Sequence, residues 1–520
     1  MRQAGYQAEL ELAVEAARTA GALLLDEFYR PGGPRGHGAH AEADRPAEER
    51  IARLLRDAFP EYGYLGEELG RLAEARDPGK HTWLIDPNDG THSYLRGWRG
   101  PAVSVALVRA GEPVLGVVYA YAAPDDRGDL IGWAEGCGPV KRNGVAVRRA
   151  WPVEAGSDCV VLVASGADRR AAANAAALYP MRYRVMPSIA YRLALAAAGE
   201  GDVAISLHNP RDWDYAAGHA LLRGAGAELY RRSGGPVTYG PDGVSGCGGR
   251  CYGGAWPLVD RLVDIDWERL IEQPETSPGL ARPVAGQAVR DAELLQRAQG
   301  CLLGQLGPGQ PDAGAELAIL LARALLESGG YTAEAAARAY AGRSGSPLAR
   351  ACVLGIAGSG RPFDTVEAWA ATDAALTGAD AAACDAAGVA ASALAFAIRW
   401  GASPAGVLQH AEGRAAVRGV HAQVRRALAA RGEFENTVLA ELSEGFDALR
   451  HAATFTGGGT FAGALLGATF GRDAIPRAQR EQVLTCRPIA GLAGVTEPRP
   501  PACWPVDALI VAERLLTLER

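Results

Sequence analysis

The chain has little lysine and no excess of basic residues. Only Lys80 and Lys141 are lysines, and 53 Lys and Arg residues stand against 60 Asp and Glu, which gives a formal net charge of −7 at pH 7. Proteins that bind nucleic acid polymers or anionic membrane surfaces generally need basic residues to displace the counterions of the polyanion. The composition therefore predicts neither partner, and any phosphate must be bound by local groups.

The sequence also lacks a secretory signal and a long apolar run. Its N-terminal helix-like stretch carries Glu9, Glu11 and Glu15, whereas a signal peptide begins with basic residues followed by an apolar core. No run of about 18 apolar residues suggests a membrane span. We therefore expect a cytoplasmic protein.

Nine cysteines are spread along the chain without the spacing of a disulfide framework. Only Cys247 and Cys251, in "CGGRC", lie close together, and no second Cys or His pair stands at the spacing of a zinc finger. We expect most of these residues to be buried thiols.

The chain has two halves of different texture. Residues 1–271 mix helical patterns with β-branched runs such as "AVSVALVRAGEPVLGVVYAYAAP", which breaks at Ala110-Gly111 as a hairpin would. Residues 272–289 are rich in Pro, Gly and small polar residues, as a linker is. Residues 290–520 contain Ala- and Leu-rich helices, most of them followed by Gly. The sequence predicts an α+β domain, a linker and an all-α helical domain.

Acidic residues stand in unusual contexts in four segments of the first half. The segments are "AEADRPAEE" with Asp44, "LGEELG" with Glu67, "LIDPNDGT" with Asp86 and Asp89, and "DWDYAAG" with Asp214. Taken singly, each has an ordinary interpretation. Asp44 and Asp214 can cap helices, and the other two segments can be solvated turns.

The combination of these acids indicates a site for divalent cations. Hard cations such as Mg²⁺ prefer oxygen ligands and keep water and substrate phosphate in their remaining positions. Pro87 limits the backbone between Asp86 and Asp89, so that both carboxylates can face one point. Gly90 and Thr91 then offer backbone N–H groups at a predicted helix start, where a phosphate is favoured.

Three of these motifs, "GEE", "WLIDPNDGT" and "WDYAAG", closely resemble in order and spacing the signatures of the inositol monophosphatase superfamily. The resemblance spans roughly residues 8–255. It implies an α+β layered sugar-phosphatase fold (αβαβα) for this half, followed by the all-α helical domain. It also implies a phosphatase that uses two or three Mg²⁺ ions.

The resemblance further implies roles for individual residues. Asp44 and Thr91 would form the pair that activates the attacking water, and Glu67 would be the third catalytic residue. Asp89, Gly90 and Thr91 would lie against the phosphate. The implied metal ligands are four carboxylates and one main-chain carbonyl, those of Glu67, Asp86, Asp89, Asp214 and Asn88.

The substrate is less well specified than the metal site. Where the inositol enzymes carry an acid that binds inositol hydroxyls, seven residues before the last metal aspartate, this chain has Leu207. Arg96 and Arg99 follow the phosphate motif with Trp98 between them, and they either bind a second anionic group or base of the substrate or form a solvated, packed loop. The stretch "GEPVLGVVYA" resembles the 3′-phosphoadenosine phosphatases somewhat better, which favours a nucleotide or sugar phosphate.

The second half loosely resembles the ADP-ribosylglycohydrolase family over roughly residues 295–520, through "AQGCLLGQLG" and "TGGGTFAGALLGATFG". Working enzymes of that family carry acids where this chain shows "DAGA", Asp312 to Ala315, and "GGGTF", Gly457 to Phe461. Gly and Ala cannot replace carboxylates as Mg²⁺ ligands. We therefore predict a catalytically degenerate domain, in which Asp312 and Glu316 either hold one weak ion or serve the structure.

The leading hypothesis is a Mg²⁺-dependent phosphomonoesterase that hydrolyses a small nucleotide, sugar or inositol phosphate by metal-activated water. Two alternatives stay open. One is a non-catalytic binding or regulatory protein. It is disfavoured because every acid of the predicted metal site in the first half is present. The other is a bifunctional enzyme that also hydrolyses an N-glycosyl or ADP-ribosyl bond. A homodimer is compatible with all three.

Overall fold

The structure is a computed structural model that describes residues 5–240, 246–276, 278–430, 433–457 and 460–518. It divides into two compact units. The first comprises residues 1–276 and 284–287, and the second comprises residues 277–283 and 288–520. The predicted linker spans this division, and its described residues form no helix or strand.

The first unit contains the strands. They are β1 (Gly36–His37), β2 (His40–Ala41), β3 (Gly63–Gly66), β4 (Gly70–Ala73), β5 (His81–Asp89), β6 (Ala102–Arg109), β7 (Glu112–Ala120), β8 (Asp129–Ala134), β9 (Lys141–Arg142), β10 (Val145–Ala146), β11 (Val160–Val163), β12 (Arg182–Val185), β13 (Val203–Ser206), β14 (Glu228–Arg231) and β15 (Cys251–Gly254). Its helices are α1 (Gln7–Phe28), α2 (Asp44–Ala58), α3 (Thr91–Tyr94), α4 (Ala171–Leu178), α5 (Ile189–Ala197), α6 (Asp212–Gly224), α7 (Trp256–Val263) and α8 (Trp267–Ile271).

Two large sheets form the first unit. The eight-stranded sheet has the order β10-β9-β8-β7-β6-β5-β3-β4 and is antiparallel except where β3 runs parallel to β5. The five-stranded sheet has the order β12-β11-β13-β15-β14. In it β11 is parallel to both β12 and β13, so the carboxyl ends of these three strands meet at one edge.

Helices cover the sheets in layers. A Cβ added at Gly21 of α1 would lie 2.6 Å from the Tyr119 ring of β7, and one added at Gly116 of β7 would lie 2.2 Å from the Ala217 carbonyl of α6. Positions 116 and 119 point to opposite faces of a regular strand, so α1 and α6 cover opposite faces. Helices α5 and α6 pack together, and Leu193 of α5 packs on the second sheet, where α7 also contacts β15. The predicted αβαβα layering is confirmed.

The predicted hairpin at Ala110-Gly111 is also confirmed. It joins β6 and β7, and both residues have positive φ angles, 48° and 89°. Two-residue hairpin loops with two positive φ angles match the twist of the flanking strands.

The second unit contains helices and no strand among its described residues. Its helices are α9 (Ala292–Leu306), α10 (Ala313–Ser328), α11 (Ala333–Tyr340), α12 (Pro347–Ala357), α13 (Phe363–Leu376), α14 (Ala381–Trp400), α15 (Pro404–Arg418), α16 (Ala422–Leu428), α17 (Thr437–His451), α18 (Thr460–Phe470), α19 (Arg477–Leu484) and α20 (Ala508–Leu516). Small residues allow close packing: a Cβ added at Gly304 of α9 would lie 2.0 Å from the Gly463 carbonyl of α18.

The expectation that no segment is long and apolar enough to span a membrane was wrong for α14. Its 20 residues meet that criterion by length and composition. Within the second unit, 78% of the apolar window is buried, and a core helix of this kind passes the same test.

Candidate active site

A β-bulge at the end of β5 places Asp86 and Asp89 on one side of the sheet. In the pairing with β6, Asp86 lies opposite Ser104 and Asp89 lies opposite Ala102, so three steps on β5 match two steps on β6. Side chains three residues apart on a regular strand point to opposite faces, and one extra residue brings them to the same face. Gly90 then turns the chain with a φ of 98° into the four-residue helix α3.

Asp44 is the centre of a buried hydrogen-bond network. Its carboxylate accepts from the Ala41 N–H at 3.1 Å, from Asn88 Nδ2 at 2.8 Å and from Thr91 Oγ1 at 3.2 Å. The Tyr121 hydroxyl donates to Asn88 Oδ1 at 2.6 Å. Burial raises the pKa of Asp44 to about 6, although the hydrogen bonds from Asn88, Ala41 and Thr91 oppose the rise.

This network corrects the helix-cap interpretation of Asp44. Helix α2 begins at Asp44 itself, and the residue before it makes no side-chain cap hydrogen bond. The carboxylate instead reaches Thr91, whose hydroxyl lies 3.2 Å from Asp44 Oδ2 and 3.0 Å from the Asn88 carbonyl oxygen. The structure thus brings the predicted Thr91 and Asp44 pair into hydrogen-bond contact.

Glu67 lies in the turn between β3 and β4, and its N–H donates to the Ile85 carbonyl at 3.1 Å. Its carboxyl group shares a hydrogen bond with that of Asp86. Desolvation raises the pKa of Glu67 to about 7, and repulsion from Asp89 and nearby acids adds to the rise. Glu67 is exposed to solvent, so repulsion between the carboxylates persists in the folded protein and keeps this pKa raised.

Asp89 joins the end of β5 to the start of α5, and Asp214 lies at the start of α6. Asp89 Oδ2 accepts from Ser188 Oγ at 2.5 Å and from the Ala190 N–H at 2.7 Å, both at the start of α5. Asp214 lies in the first turn of α6 and accepts from the Arg211 N–H at 2.7 Å, so it caps this helix as the ordinary interpretation expects. The capping bond leaves the other carboxylate oxygen of Asp214 for a second partner.

The four acids repel one another. Burial raises the pKa of Asp86 well above its ordinary value, and repulsion from Glu67, Asp89 and Asp214 raises it further. Burial also raises the pKa of Asp214 well above its ordinary value, and repulsion from Asp89 adds to the rise. Burial raises the pKa of Asp89 despite its hydrogen bonds with Ser188 and Ala190.

The donor set fits Mg²⁺ by its chemistry. It consists of carboxylates with hard oxygen atoms, and their mutual repulsion is relieved by a cation as well as by protons. Across the described parts of the chain, no three His, Cys, Asp or Glu side chains are already grouped as an ion would require. The carboxyl groups of Glu67 and Asp86 instead form a hydrogen bond with each other. Ion binding would therefore require these two side chains to re-orient.

The predicted phosphate and substrate residues differ in their surroundings. Gly90 and Thr91 lie beside the acids. The helix predicted to start there, α3, is only four residues long. Arg96 is exposed and donates to the His92 carbonyl at 2.9 Å. Arg99 donates to Tyr29 Oη at 3.1 Å and to the Ala122 carbonyl at 2.8 Å. These contacts favour the packed-loop interpretation for Arg99.

Glu48 is a functional candidate that the sequence analysis missed. It is fully buried, and its carboxylate accepts from the Glu68 N–H at 2.7 Å and from the Leu69 N–H at 3.3 Å. A Cβ added at Gly66 would lie 1.8 Å from Glu48 Oε1, which explains the glycine of the "GEE" motif. Glu48 therefore holds the turn that carries Glu67.

We expect Glu48→Gln to weaken Mg²⁺ activation about tenfold, since residues that orient metal ligands typically contribute that much to affinity. The amide NH₂ would face one of the two backbone N–H donors and loosen the turn. The measurement is the Mg²⁺ concentration that gives half-maximal phosphate release. Glu49→Gln, at an exposed neighbouring position paired with Arg45, is the control, and an unchanged Mg²⁺ dependence in Glu48→Gln would contradict the role.

The acids predicted in the second half have structural partners. Asp312 caps α10 by accepting from the Ala315 N–H at 2.7 Å. Glu316 forms ion pairs with Arg343 at 3.2 Å and Arg499 at 3.1 Å. Two guanidinium groups thus balance Glu316, which favours the structural alternative over a weak ion. Within the "GGGTF" stretch, Gly458 and Gly459 lie outside the described residues.

Comparison with known proteins assigns the first half. Residues 6–257 match the model of the inositol monophosphatase family. The chain is 30% identical over 244 residues to the 3′(2′),5′-bisphosphate nucleotidase CysQ of Escherichia coli O157:H7, covering 45% of this chain and 94% of that protein. It is 28% identical over 240 residues to inositol monophosphatase 3 of Solanum lycopersicum, covering 43% of this chain and 86% of that protein.

A solved inositol monophosphatase from Anabaena (Nostoc) sp. PCC 7120 aligns over 52% of this chain and 96% of its own, with 26% identity and a TM-score of 0.40. The resemblance of the second half to ADP-ribosylglycohydrolases stays a prediction. The family model and the match across nearly the whole length of the nucleotidase agree with the motifs around Glu67, Asp86 and Asp214. The chain belongs to the inositol monophosphatase family through the domain in its first half.

Proposed function

We propose that the protein is a Mg²⁺-dependent phosphomonoesterase that acts on a small phosphorylated metabolite. Two of its relatives are named inositol monophosphatase 3 and 3′(2′),5′-bisphosphate nucleotidase CysQ. The observation that carries the proposal is the convergence of Glu67, Asp86 and Asp214 with Asp89 beside the Asp44 and Thr91 pair. Every acid that the family motif requires is present, which disfavours a non-catalytic binding protein.

The four acids, with the Asn88 carbonyl, would hold the ions. When bound, Mg²⁺ supplies positive charge to the phosphoryl group and makes water a better nucleophile. The N–H groups of Gly90 and Thr91 would bind phosphate oxygens. Because a phosphate dianion repels an attacking oxygen, this charge and positioning are what hydrolysis needs.

Asp44 and Thr91 would orient the attacking water. The Thr91 hydroxyl lies within hydrogen-bond distance of the Asp44 carboxylate and the Asn88 carbonyl. It can pass its own proton to the Asp44 carboxylate as its oxygen takes one from the attacking water, so that the proton lost by water ends on Asp44. Asp44 is buried, and its position is fixed by Ala41 and Asn88. Such a relay contributes typically 10²- to 10⁴-fold in rate.

The test is phosphate release by the full chain from nucleotides, sugar phosphates and inositol phosphates, with Mg²⁺ and with a chelator. We expect release from at least one compound that requires Mg²⁺. Activity that persists in the chelator contradicts the metal site. Absence of release from every compound supports a non-catalytic binding protein, and release of free ADP-ribose from an ADP-ribosyl substrate would support the bifunctional alternative.

We also expect Mg²⁺ to raise the melting temperature more at about pH 8 than at about pH 5. In the folded protein the pKa of Glu67 rises from 4.5 to about 7, so the folded state holds the proton more tightly. The proton on Glu67 stabilises the folded state fully below about pH 4.5, and this stabilisation is lost as pH rises through about 7. A cation favours the ionised acids, so its effect grows over the same window.

The measurement is thermal unfolding in chelator and in Mg²⁺ at both pH values. A ligand at about one hundred times its dissociation constant stabilises by about 2.7 kcal/mol, which corresponds to a shift of several degrees. Sodium chloride at matched ionic strength is the control for screening. An equal shift at the two pH values, or with sodium chloride, would be inconsistent with this site.

A further inference from the structure

Asn88 forms hydrogen bonds through both its main chain and its side chain in the candidate active site. Its N–H donates to Asp86 Oδ1 at 2.8 Å, and its carbonyl accepts from Thr91 Oγ1 at 3.0 Å. Its side-chain Nδ2 donates to Asp44 Oδ1 at 2.8 Å, and its Oδ1 accepts from the Tyr121 hydroxyl at 2.6 Å. The main chain thus joins a proposed metal ligand to the proposed relay hydroxyl, and the side chain is left to hold Asp44.

The direction of hydrogen-bond donation through the Asn88 side chain is fixed by its two neighbours. An ionised carboxylate only accepts hydrogen bonds, so the amide NH₂ of Asn88 has to face Asp44. The amide oxygen then faces the Tyr121 hydroxyl, which has to donate to it. Donation therefore runs in one direction, from Tyr121 through Asn88 to Asp44, and hydrogen bonds aligned in this way strengthen one another.

The two oxygens of the Asp44 carboxylate have different partners. The Ala41 N–H and the Thr91 hydroxyl both donate to Oδ2, whereas Asn88 donates to Oδ1. A carboxylate that is bound at one oxygen alone can rotate about its Cβ–Cγ bond, and a donor at the other oxygen prevents this rotation. The amide of Asn88 therefore keeps Oδ2 of Asp44 facing Thr91.

Tyr121 anchors this chain of hydrogen bonds on the eight-stranded sheet. It follows β7 directly, and its ring packs edge-on against that of Tyr94 with the ring centroids 6.2 Å apart. Tyr121 has no exposed surface, Asn88 is 1% exposed and Asp44 is 2% exposed. Bulk water therefore does not compete for these hydrogen bonds, and the hydroxyl lies at a point that the sheet fixes.

We infer that Asn88 and Tyr121 are positioning residues for the attacking water, because their side chains hold the Asp44 carboxylate in the orientation that receives the proton from Thr91. The inference rests on the proposed function and deepens it by naming the groups that orient the proton acceptor. Neither side chain is among the proposed metal ligands or phosphate contacts. Loss of either one therefore lowers kcat and leaves KM and the Mg²⁺ dependence nearly unchanged.

The experiment measures phosphate release and thermal unfolding of the full chain for Tyr121→Phe, Asn88→Leu and the double variant. Release is followed with Mg²⁺ from 4-nitrophenyl phosphate and from the nucleotides, sugar phosphates and inositol phosphates. Each single variant leaves a buried polar group without its partner, whereas the double variant replaces both by apolar groups and should regain stability. Tyr94→Phe is the matched control, because Tyr94 is equally buried and its hydroxyl donates to the Leu24 carbonyl at 2.8 Å.

Tyr121→Phe is expected to lower kcat about tenfold and Asn88→Leu about a hundredfold, with KM and the half-saturating Mg²⁺ concentration within about threefold of wild type. The double variant should unfold in chelator at a higher temperature than Asn88→Leu. Its kcat should stay as low as that of Asn88→Leu, because the more stable core still cannot orient Asp44. Tyr94→Phe should keep kcat within about twofold of wild type.

Three results would overturn the inference alone. One is wild-type kcat in Tyr121→Phe, another is an equal loss of kcat in Tyr121→Phe and Tyr94→Phe, and the third is a kcat that recovers with the melting temperature in the double variant. If a single variant does not fold, the double variant against Tyr94→Phe gives the same test. Absence of release by the wild type from every compound overturns the proposed function and the inference with it.

Discussion

Asp89→Asn is expected to reduce phosphate release by at least about a thousandfold while the protein stays folded, because the removed charge both holds a cation and contacts the phosphoryl group. The substitution keeps the size of the side chain. Asn can still accept from the Ala190 N–H, as Asp89 does at 2.7 Å. It also removes one of the repelling carboxylates, so the melting temperature in chelator should not fall.

The activity of Asp89→Asn is measured as phosphate release at saturating Mg²⁺, together with its melting temperature. Asp57→Asn is the matched control, since Asp57 is exposed near the end of α2, and it should keep wild-type activity. If Asp89→Asn released phosphate at the wild-type rate, the assignment of Asp89 as a ligand would be wrong. A variant that failed to fold would be replaced by Asp214→Asn, for which the same loss is expected.

The second large effect is expected at Thr91. Thr91→Val keeps the shape of the side chain but removes the hydroxyl that contacts Asp44 and the Asn88 carbonyl. We expect kcat to fall about 10²- to 10³-fold with KM nearly unchanged, since the hydroxyl is proposed to act on water and not on the substrate. Mg²⁺ activation should stay as in the wild type.

Thr91→Ser restores the hydroxyl and is the matched control, with activity expected within about tenfold of wild type. Loss of the buried hydrogen bond costs about 1–3 kcal/mol of stability in Thr91→Val, so unfolding is measured beside activity. Equal kcat in Thr91→Val and the wild type would exclude the relay. If adding Asp44→Asn to Thr91→Val lowers kcat little further, the two residues act as one unit in the reaction.

Local patterns in the sequence predicted much of the first unit. The hairpin at Ala110-Gly111 follows from a turn signal between two alternating runs. The pairing of β3 with β5 and the bulge between Asp86 and Asp89 did not follow. Strand order and bulges depend on contacts between distant segments, which no local pattern encodes.

The site was predicted as a set of residue types and not as a geometry. Pro87 suggested that Asp86 and Asp89 could face one point, whereas the bulge is the reason they lie on one face. Ser188 and Glu48 were missed because they act across long sequence separations: 99 residues separate Ser188 from Asp89, and 20 separate Glu48 from Glu68. Gly66, just before Glu67, was the available signal for Glu48, because the Glu48 carboxylate leaves no room for a side chain at position 66.

Asp44 and Asp214 show the limit of cap interpretations. Both stand at helix starts, yet only Asp214 accepts from the backbone at the start of its own helix. The Asp44 carboxylate turns toward Asn88 and Thr91, because β5 and α3 lie against the start of α2. A local signal fixes where a helix starts, whereas tertiary packing decides which group the acid contacts.

We propose that the four acids hold Mg²⁺ in one cleft. Anomalous diffraction from crystals of the full chain grown with Mn²⁺, which prefers similar oxygen ligands, tests it most directly. We expect anomalous peaks bounded by the carboxylates of Glu67, Asp86, Asp89 and Asp214. Crystals that show no peak between these side chains at saturating Mn²⁺ would contradict it.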